Sequence, residues 1–172
     1  MGVFTIDAVP HTDERGFFFE GFSKPTLEKN TGYRFDVAQI NHSRSYQHVL
    51  RGLHYQVNNT QAKLVWTTFG EIYDVVVDLR RSSPSFGHWF GVNLSAQNMR
   101  RLLIQEGCAH GFIVLSEVAE ITYLTSDIYN PAGERVLRWN CPEIGIKWPI
   151  NNPILNERDA LAPRFENCEL FS

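Results

Sequence analysis

The chain has 172 residues, of which 43% are apolar and 20% charged, and its formal net charge is -3. That length and mix suit one soluble domain, residues 1–172, around a single core. A weak net charge with no block of like charge excludes bulk attraction to nucleic acid or an anionic membrane, and no apolar run approaches the roughly 20 residues of a membrane span.

The opening stretch from Met1 to Ile6 has no basic segment followed by an apolar one, so it does not read as a signal peptide. Cys108, Cys141 and Cys168 are scattered and odd in number, matching neither a disulfide framework nor zinc spacing. They read as free thiols of a reducing compartment, and the expected location is the cytoplasm.

From Gly16 to Phe22 the chain is aromatic and reads as a strand. A short helix is expected from Pro25 to Asn30, with the proline near its start and Gly32 just past its end. Strands are expected at Lys63–Phe69, Glu71–Leu79, Trp89–Leu94, Arg101–Ile104, Phe112–Leu115 and Ala119–Thr125, with a loop at Ser82–Ser85 built on Pro84. From Asn140 onward several prolines suggest irregular chain wrapped over a β core, with one helical turn at Glu157–Leu161. Regularly spaced short strands with glycines at the turns argue for an all-β sandwich or barrel carrying a few short helices.

The residues suited to chemistry fall into three groups. Arg51-Gly52-Leu53-His54-Tyr55-Gln56 sets a histidine, able to accept a proton near neutral pH, close to a guanidinium able to hold a phosphate. Strict alternation would put Arg51 and His54 on opposite faces, and a bulge at Gly52 would bring them together. Alone, the cluster reads as well as a structural histidine beside a surface arginine. Glu106-Gly107-Cys108-Ala109-His110-Gly111-Phe112 suggests a tight turn presenting His110 at a strand end. Among single residues, Tyr123 reads as a core tyrosine, Lys63 as a snorkelling lysine, and Asp159 as a helix-end carboxylate or a partner orienting a histidine. A metal-binding barrel usually supplies a closely spaced histidine pair with a carboxylate. Here position 56 is glutamine, and the expectation is a site without metal.

In order along the chain, Asp13-Glu14-Arg15-Gly16-Phe17-Phe18-Phe19-Glu20, Gln39-Ile40-Asn41-His42-Ser43 and Val49-Leu50-Arg51-Gly52-Leu53-His54-Tyr55-Gln56 resemble the dTDP-4-dehydrorhamnose 3,5-epimerases. So do Gly70-Glu71-Ile72-Tyr73-Asp74-Val75, the Arg81–Gly87 loop, the Glu106–Phe112 stretch, Gly145-Ile146-Lys147-Trp148-Pro149 and Leu155-Asn156-Glu157-Arg158-Asp159-Ala160. Each motif is modest, but the ordered set covers about residues 13 to 163.

The resemblance implies a cupin-type jelly roll or β-sandwich, a homodimer in which one subunit's N-terminal strand helps build its partner's site, and a dTDP-4-keto-6-deoxy sugar as substrate. It implies that His54 removes the proton beside the C4 ketone, that Asp159 orients His54, and that Tyr123 returns a proton from the opposite face. Lys63 and His110 would stabilise the enolate oxygen. Arg51, with Arg15 from the partner, would hold the diphosphate. Glu20, Gln39, Asn41, Glu134 and Arg158 would line the pocket, and Tyr129 would stack on the base. No cofactor is implied. The chain departs from the family's usual pattern at Ile40, Trp66, Gln105 and Cys108, in a single tyrosine at Ile128-Tyr129, and in a Val57–Ala62 loop without the usual glycine. Two alternatives stay open beside the 3,5-epimerase: an enzyme inverting one centre only, and a non-catalytic sugar- or metal-binding cupin.

Overall fold

Strands are the dominant regular element of the computed structural model, which describes residues 2–172. β1 (Val3–Ile6) is followed by a hairpin of β2 (His11–Asp13) and β3 (Gly16–Phe18), then by helix α1 (Lys24–Thr31). β4 (Gln39–Tyr46), β5 (Leu50–Gln56), β6 (Lys63–Phe69), β7 (Glu71–Asp78) and β8 (Trp89–Ser95) come next. β9 (Arg101–Ile104), β10 (Cys108–Val114), β11 (Val118–Thr125) and β12 (Glu134–Val136) complete the strands. Beyond them lie the helical turn α2 (Glu157–Ala160) and a 3-10 turn at Phe165–Asn167.

Two five-stranded sheets result, ordered β1-β9-β6-β11-β4 and β12-β5-β10-β7-β8, with β2-β3 as a separate pair. The strands pair antiparallel throughout both sheets. This is the all-β, cupin-type sandwich that the spacing and the resemblance lead one to expect.

Alternation along the strands builds three apolar layers. Between the sheets, Val65, Leu102 and Ile121 of the first meet Ile72, Val76 and Phe112 of the second. The outer face of the second sheet, with Leu53, Val75, Val77 and Ala109, is covered by Trp148, Phe165 and Phe171 of the C-terminal wrap. The outer face of the first is covered in part by Leu27 of α1 and by Phe35, which pack on Leu64, Leu103 and Leu124. Helix α1 starts where Ser23 Oγ accepts the Thr26 N–H at 3.4 Å and stops where the Gly32 N–H reaches Glu28 O at 2.8 Å.

Some expectations are corrected. The aromatic stretch from Gly16 is strand only as far as Phe18, and Phe22 turns back to meet Phe35 edge-on at 6.0 Å. β10 begins at Cys108 rather than Phe112, so His110 sits inside a strand and not at a turn. Of the two glycines that suggested the turn, only Gly107 takes a left-handed φ of 82°, whereas Gly111 lies within β10. β1, β2, β4, β5 and β12 carried no strand expectation; β2, β4 and β12 are mostly polar, whereas β1 is only four residues long.

The bulge at Gly52 is present. Three steps of β5, from Arg51 to His54, match two steps of β10, from Phe112 to His110. Gly52 has φ 122°, and a Cβ there would lie 2.6 Å from Gly111 Cα. A Cβ on Gly111 would lie 2.7 Å from Arg51 O. Two missing side chains thus let β5 and β10 approach closely enough to carry one extra residue.

Candidate active site

The layer between the sheets is apolar over most of its length and polar at one end. There, inward positions of both sheets frame a cavity of about 300 Å³. The first sheet contributes Gln39 and Asn41 of β4, Lys63 of β6 and Tyr123 of β11. The second contributes His54 of β5 and Glu134 of β12, and Tyr129 closes the rim from the loop between β11 and β12. A larger cleft of about 700 Å³ shares Tyr55 and Glu134 with this cavity, but its charged groups include the Arg135–Glu169 and Arg158–Glu134 pairs.

His54 is held from behind. Its Nε2 lies 2.8 Å from Asp159 Oδ1, while Asp159 Oδ2 accepts the Gly52 N–H at 3.0 Å. Asp159 is fully buried, and its own N–H is capped by Asn156 Oδ1 at 2.7 Å. Burial pushes the Asp159 carboxyl up, but the hydrogen bond and charge of His54, the Gly52 N–H and the charge of Arg158 together hold it below its ordinary value. A carboxylate accepts, so the network assigns the His54 proton to Nε2 and leaves Nδ1 as the basic nitrogen.

Tyr123 stands in the opposite sheet. Burial, with Glu134, pushes its hydroxyl up against the lowering field of Arg51, so the phenol keeps its proton. Lys63 lies on the strand beside it, with Lys63 paired to Thr125 and Val65 to Tyr123. Burial pushes the Lys63 ammonium down to about 8, against the fields of Glu134 and Asp74. His110 pairs with His54 across β10 and β5. Its Nε2 meets both oxygens of Asp74, at 3.0 and 2.9 Å.

The rim is a chain of hydrogen bonds. Arg158 grips Glu134 with two nitrogens at 2.5 and 3.0 Å, and the Tyr129 hydroxyl donates to Glu134 Oε2 at 2.6 Å. Burial raises the Glu134 carboxyl, but Arg158 and Tyr129 outweigh it and hold the group below its usual range. The Tyr129 N–H donates to Gln39 Oε1 at 3.0 Å, and Gln39 Nε2 to Asn41 Oδ1 at 2.7 Å. Arg51 reaches across to the first sheet, its Nε 2.9 Å from Ser45 Oγ, and its guanidinium stays exposed.

Eleven of the thirteen residues named from the sequence therefore gather at one end of the sandwich: His54, Tyr123, Asp159, Lys63, His110, Gln39, Asn41, Arg51, Tyr129, Glu134 and Arg158. Arg15 and Glu20 do not join them within one chain. Arg15 lies on the β2–β3 hairpin, 85% exposed and paired with Asp13 at 2.5 Å. Glu20 lines a separate cleft of about 350 Å³ beside Arg101. Asp74 was missed by the sequence reading, and its one signal is a carboxylate set in the otherwise β-branched run before Val75-Val76-Val77. Among the described residues no three or more His, Cys, Asp or Glu side chains group as a metal centre would require.

A histidine held by a buried carboxylate in one sheet, a tyrosine in the other and a lysine beside it line one cavity of a cupin-like sandwich. A family model described as dTDP-4-dehydrorhamnose 3,5-epimerase matches residues 1–167, and the chain belongs to that family of isomerases. The dTDP-4-dehydrorhamnose 3,5-epimerase of Pseudomonas aeruginosa is 49% identical over 160 residues, covering 92% of this chain and 88% of the relative. The dTDP-6-deoxy-D-glucose-3,5-epimerase of Legionella pneumophila, solved in complex with dTDP-4-keto-L-rhamnose, superposes with a TM-score of 0.94 at 41% identity, covering 98% of this chain and 90% of that one. A 3'-monoepimerase from Streptomyces bikiniensis, solved with dTDP-quinovose, reaches 0.90 at 35% identity, covering 96% of this chain and 84% of that one.

Proposed function

We propose that this chain epimerises dTDP-4-dehydro-6-deoxy-D-glucose at C3 and C5, giving dTDP-4-dehydro-L-rhamnose without a cofactor. The observation that carries the reading is that His54 and Tyr123 come from opposite sheets and line one cavity. Inverting a carbon needs a proton taken from one side and returned on the other. His54 Nδ1 takes the proton next to the C4 ketone, and the electron pair moves onto the carbonyl oxygen. Lys63 and His110 stabilise that enolate. Tyr123 then gives its phenolic proton to the carbon from the other side, and solvent restores both groups. Arg51 binds the diphosphate, while Gln39, Asn41, Glu134 and Arg158 hold the nucleotide sugar and Tyr129 stacks on the base.

The working unit in this proposal is a homodimer exchanging N-terminal strands. The β2–β3 pair stands apart from both sheets, with Phe17 and Phe18 exposed, and an isolated hairpin is marginal in water. A second copy would cover it and bring Arg15 and Glu20 to the partner's cavity. Among the described residues no helix is long and apolar enough to cross a membrane, and three unpaired cysteines suit a cytoplasmic enzyme.

Proton NMR in D₂O with the dTDP-4-keto sugar tests the reading. Deuterium uptake at both C3 and C5 is expected. Uptake at one carbon makes the chain a single-centre epimerase, the activity named for the 3'-monoepimerase on which it also superposes. Binding without uptake leaves a carrier of nucleotide sugars.

A further inference from the structure

We propose that Asp74 is a positioning residue of the reaction, holding His110 and balancing the charge of Lys63 so that two donors meet the substrate's carbonyl oxygen. The inference rests on the epimerase reading and gives work to a residue that reading leaves idle.

Asp74 lies mid-strand in β7 with no exposed surface, on the inward row with Ile72 and Val76. A carboxylate stripped of water there is costly unless it is paired. Asp78, on the same strand, is paired as a structural aspartate is, by Arg80, Ser83 and Ser85 around a loop. Asp74 instead turns both oxygens to one imidazole, at 3.0 and 2.9 Å. That commits His110 Nε2 and leaves only Nδ1 for the substrate. With Nε2 donating to Asp74, Nδ1 donates only when the ring carries both protons.

Lys63 approaches from the other sheet. It feels Glu134 of β12 and Asp74 of β7, both favouring its charged form through their charges, while the Cys108 thiol of β10 is kept neutral by burial. It shares the cavity with His54 and Tyr123. Burial pushes the Asp74 carboxyl up, against the charge and hydrogen bond of His110 and the charge of Lys63. Without Asp74 the two donors face each other across a water-poor site with one fewer balancing charge.

The test is the pH profile of kcat, with dTDP affinity as a check that each variant is folded. Asp74→Asn keeps the shape and removes the charge. Its kcat should fall about 10²–10³-fold, the loss typical of one oxyanion donor. Its dTDP affinity should stay within threefold of wild type. The alkaline limb of kcat should move to lower pH, because Lys63 loses a charge that holds its proton. His110→Gln frees Asp74 to face Lys63 alone, and the limb should move to higher pH. Opposite displacements support the proposal. An unmoved limb in either folded variant overturns it, and if Asp74→Asn fails to bind dTDP, the sign from His110→Gln decides. Wild-type protein that exchanges no substrate proton sinks the epimerase reading itself, whereas active wild type with unmoved limbs removes only the role of Asp74.

Discussion

His54 and His110 stand opposite each other on adjacent strands, and each meets through Nε2 an aspartate from another part of the chain. Asp159 comes from the C-terminal wrap and Asp74 from the neighbouring strand. The two pairs share a geometry and differ in surroundings: His54 is 27% exposed to the cavity, His110 only 9%.

His54→Asn should remove deuterium uptake at both carbons, lowering turnover by about 10²–10⁴-fold, the usual worth of a positioned base. The fold should persist, because the side chain lies at the cavity wall rather than in a packed layer. Near-normal turnover in stopped assays would take the base role from His54.

Tyr123→Phe should separate two events that wild type couples. Proton removal by His54 continues, so solvent deuterium still enters the substrate, while inverted product falls by roughly 10²-fold or more. Equal loss of exchange and product, followed by NMR, would place Tyr123 outside the returning step.

Lys63→Met should make the protein more stable and nearly inactive. Burial first, opposed by Glu134 and Asp74, pushes the ammonium down to about 8 from 10.5. The unfolded chain therefore binds that proton more tightly, and the charged lysine costs stability below pH about 8. Methionine removes the cost, and Tm should rise by roughly 2–4 °C for each kcal/mol regained. The advantage should shrink as pH climbs from about 8 toward 10.5, where both states shed the proton. A melting series across that range checks the sign.

Arg15→Ala and His54→Ala chains should rescue each other. If Arg15 serves the partner's cavity, a mixed dimer holds one site with both residues intact. Co-refolded chains then recover about a quarter of wild-type activity, since half the dimers are mixed and half their sites are whole. No recovery above either variant alone would keep Arg15 within its own chain's chemistry or outside the site.

The strands that pack on both faces were legible in the sequence. Lys63–Phe69 and Arg101–Ile104 form with the bounds expected, and Glu71–Leu79 ends one residue early at Asp78. β4 was not, because its inward row is Gln39, Asn41, Ser43 and Ser45, polar residues that face a cavity rather than a core. Helix α1 was legible from Pro25 and Gly32, and its Ser23 cap adds one residue at the start. The meeting of His54 with Asp159 spans 105 residues, and no local pattern carries it. It was reached through the family resemblance alone. His110 was misplaced to a turn because Gly111 looks like punctuation, whereas it leaves room for Arg51 O. Asp74 was overlooked because an isolated carboxylate in a valine-rich strand has no partner in the neighbouring sequence.

The span between His54 and Asp159 also orders events in time. A ribosome adds those 105 residues in roughly 5–20 s. During that interval β5 exists without the carboxylate that takes the Gly52 N–H and the His54 proton. A chain interrupted within that interval carries His54 without the carboxylate that holds its ring.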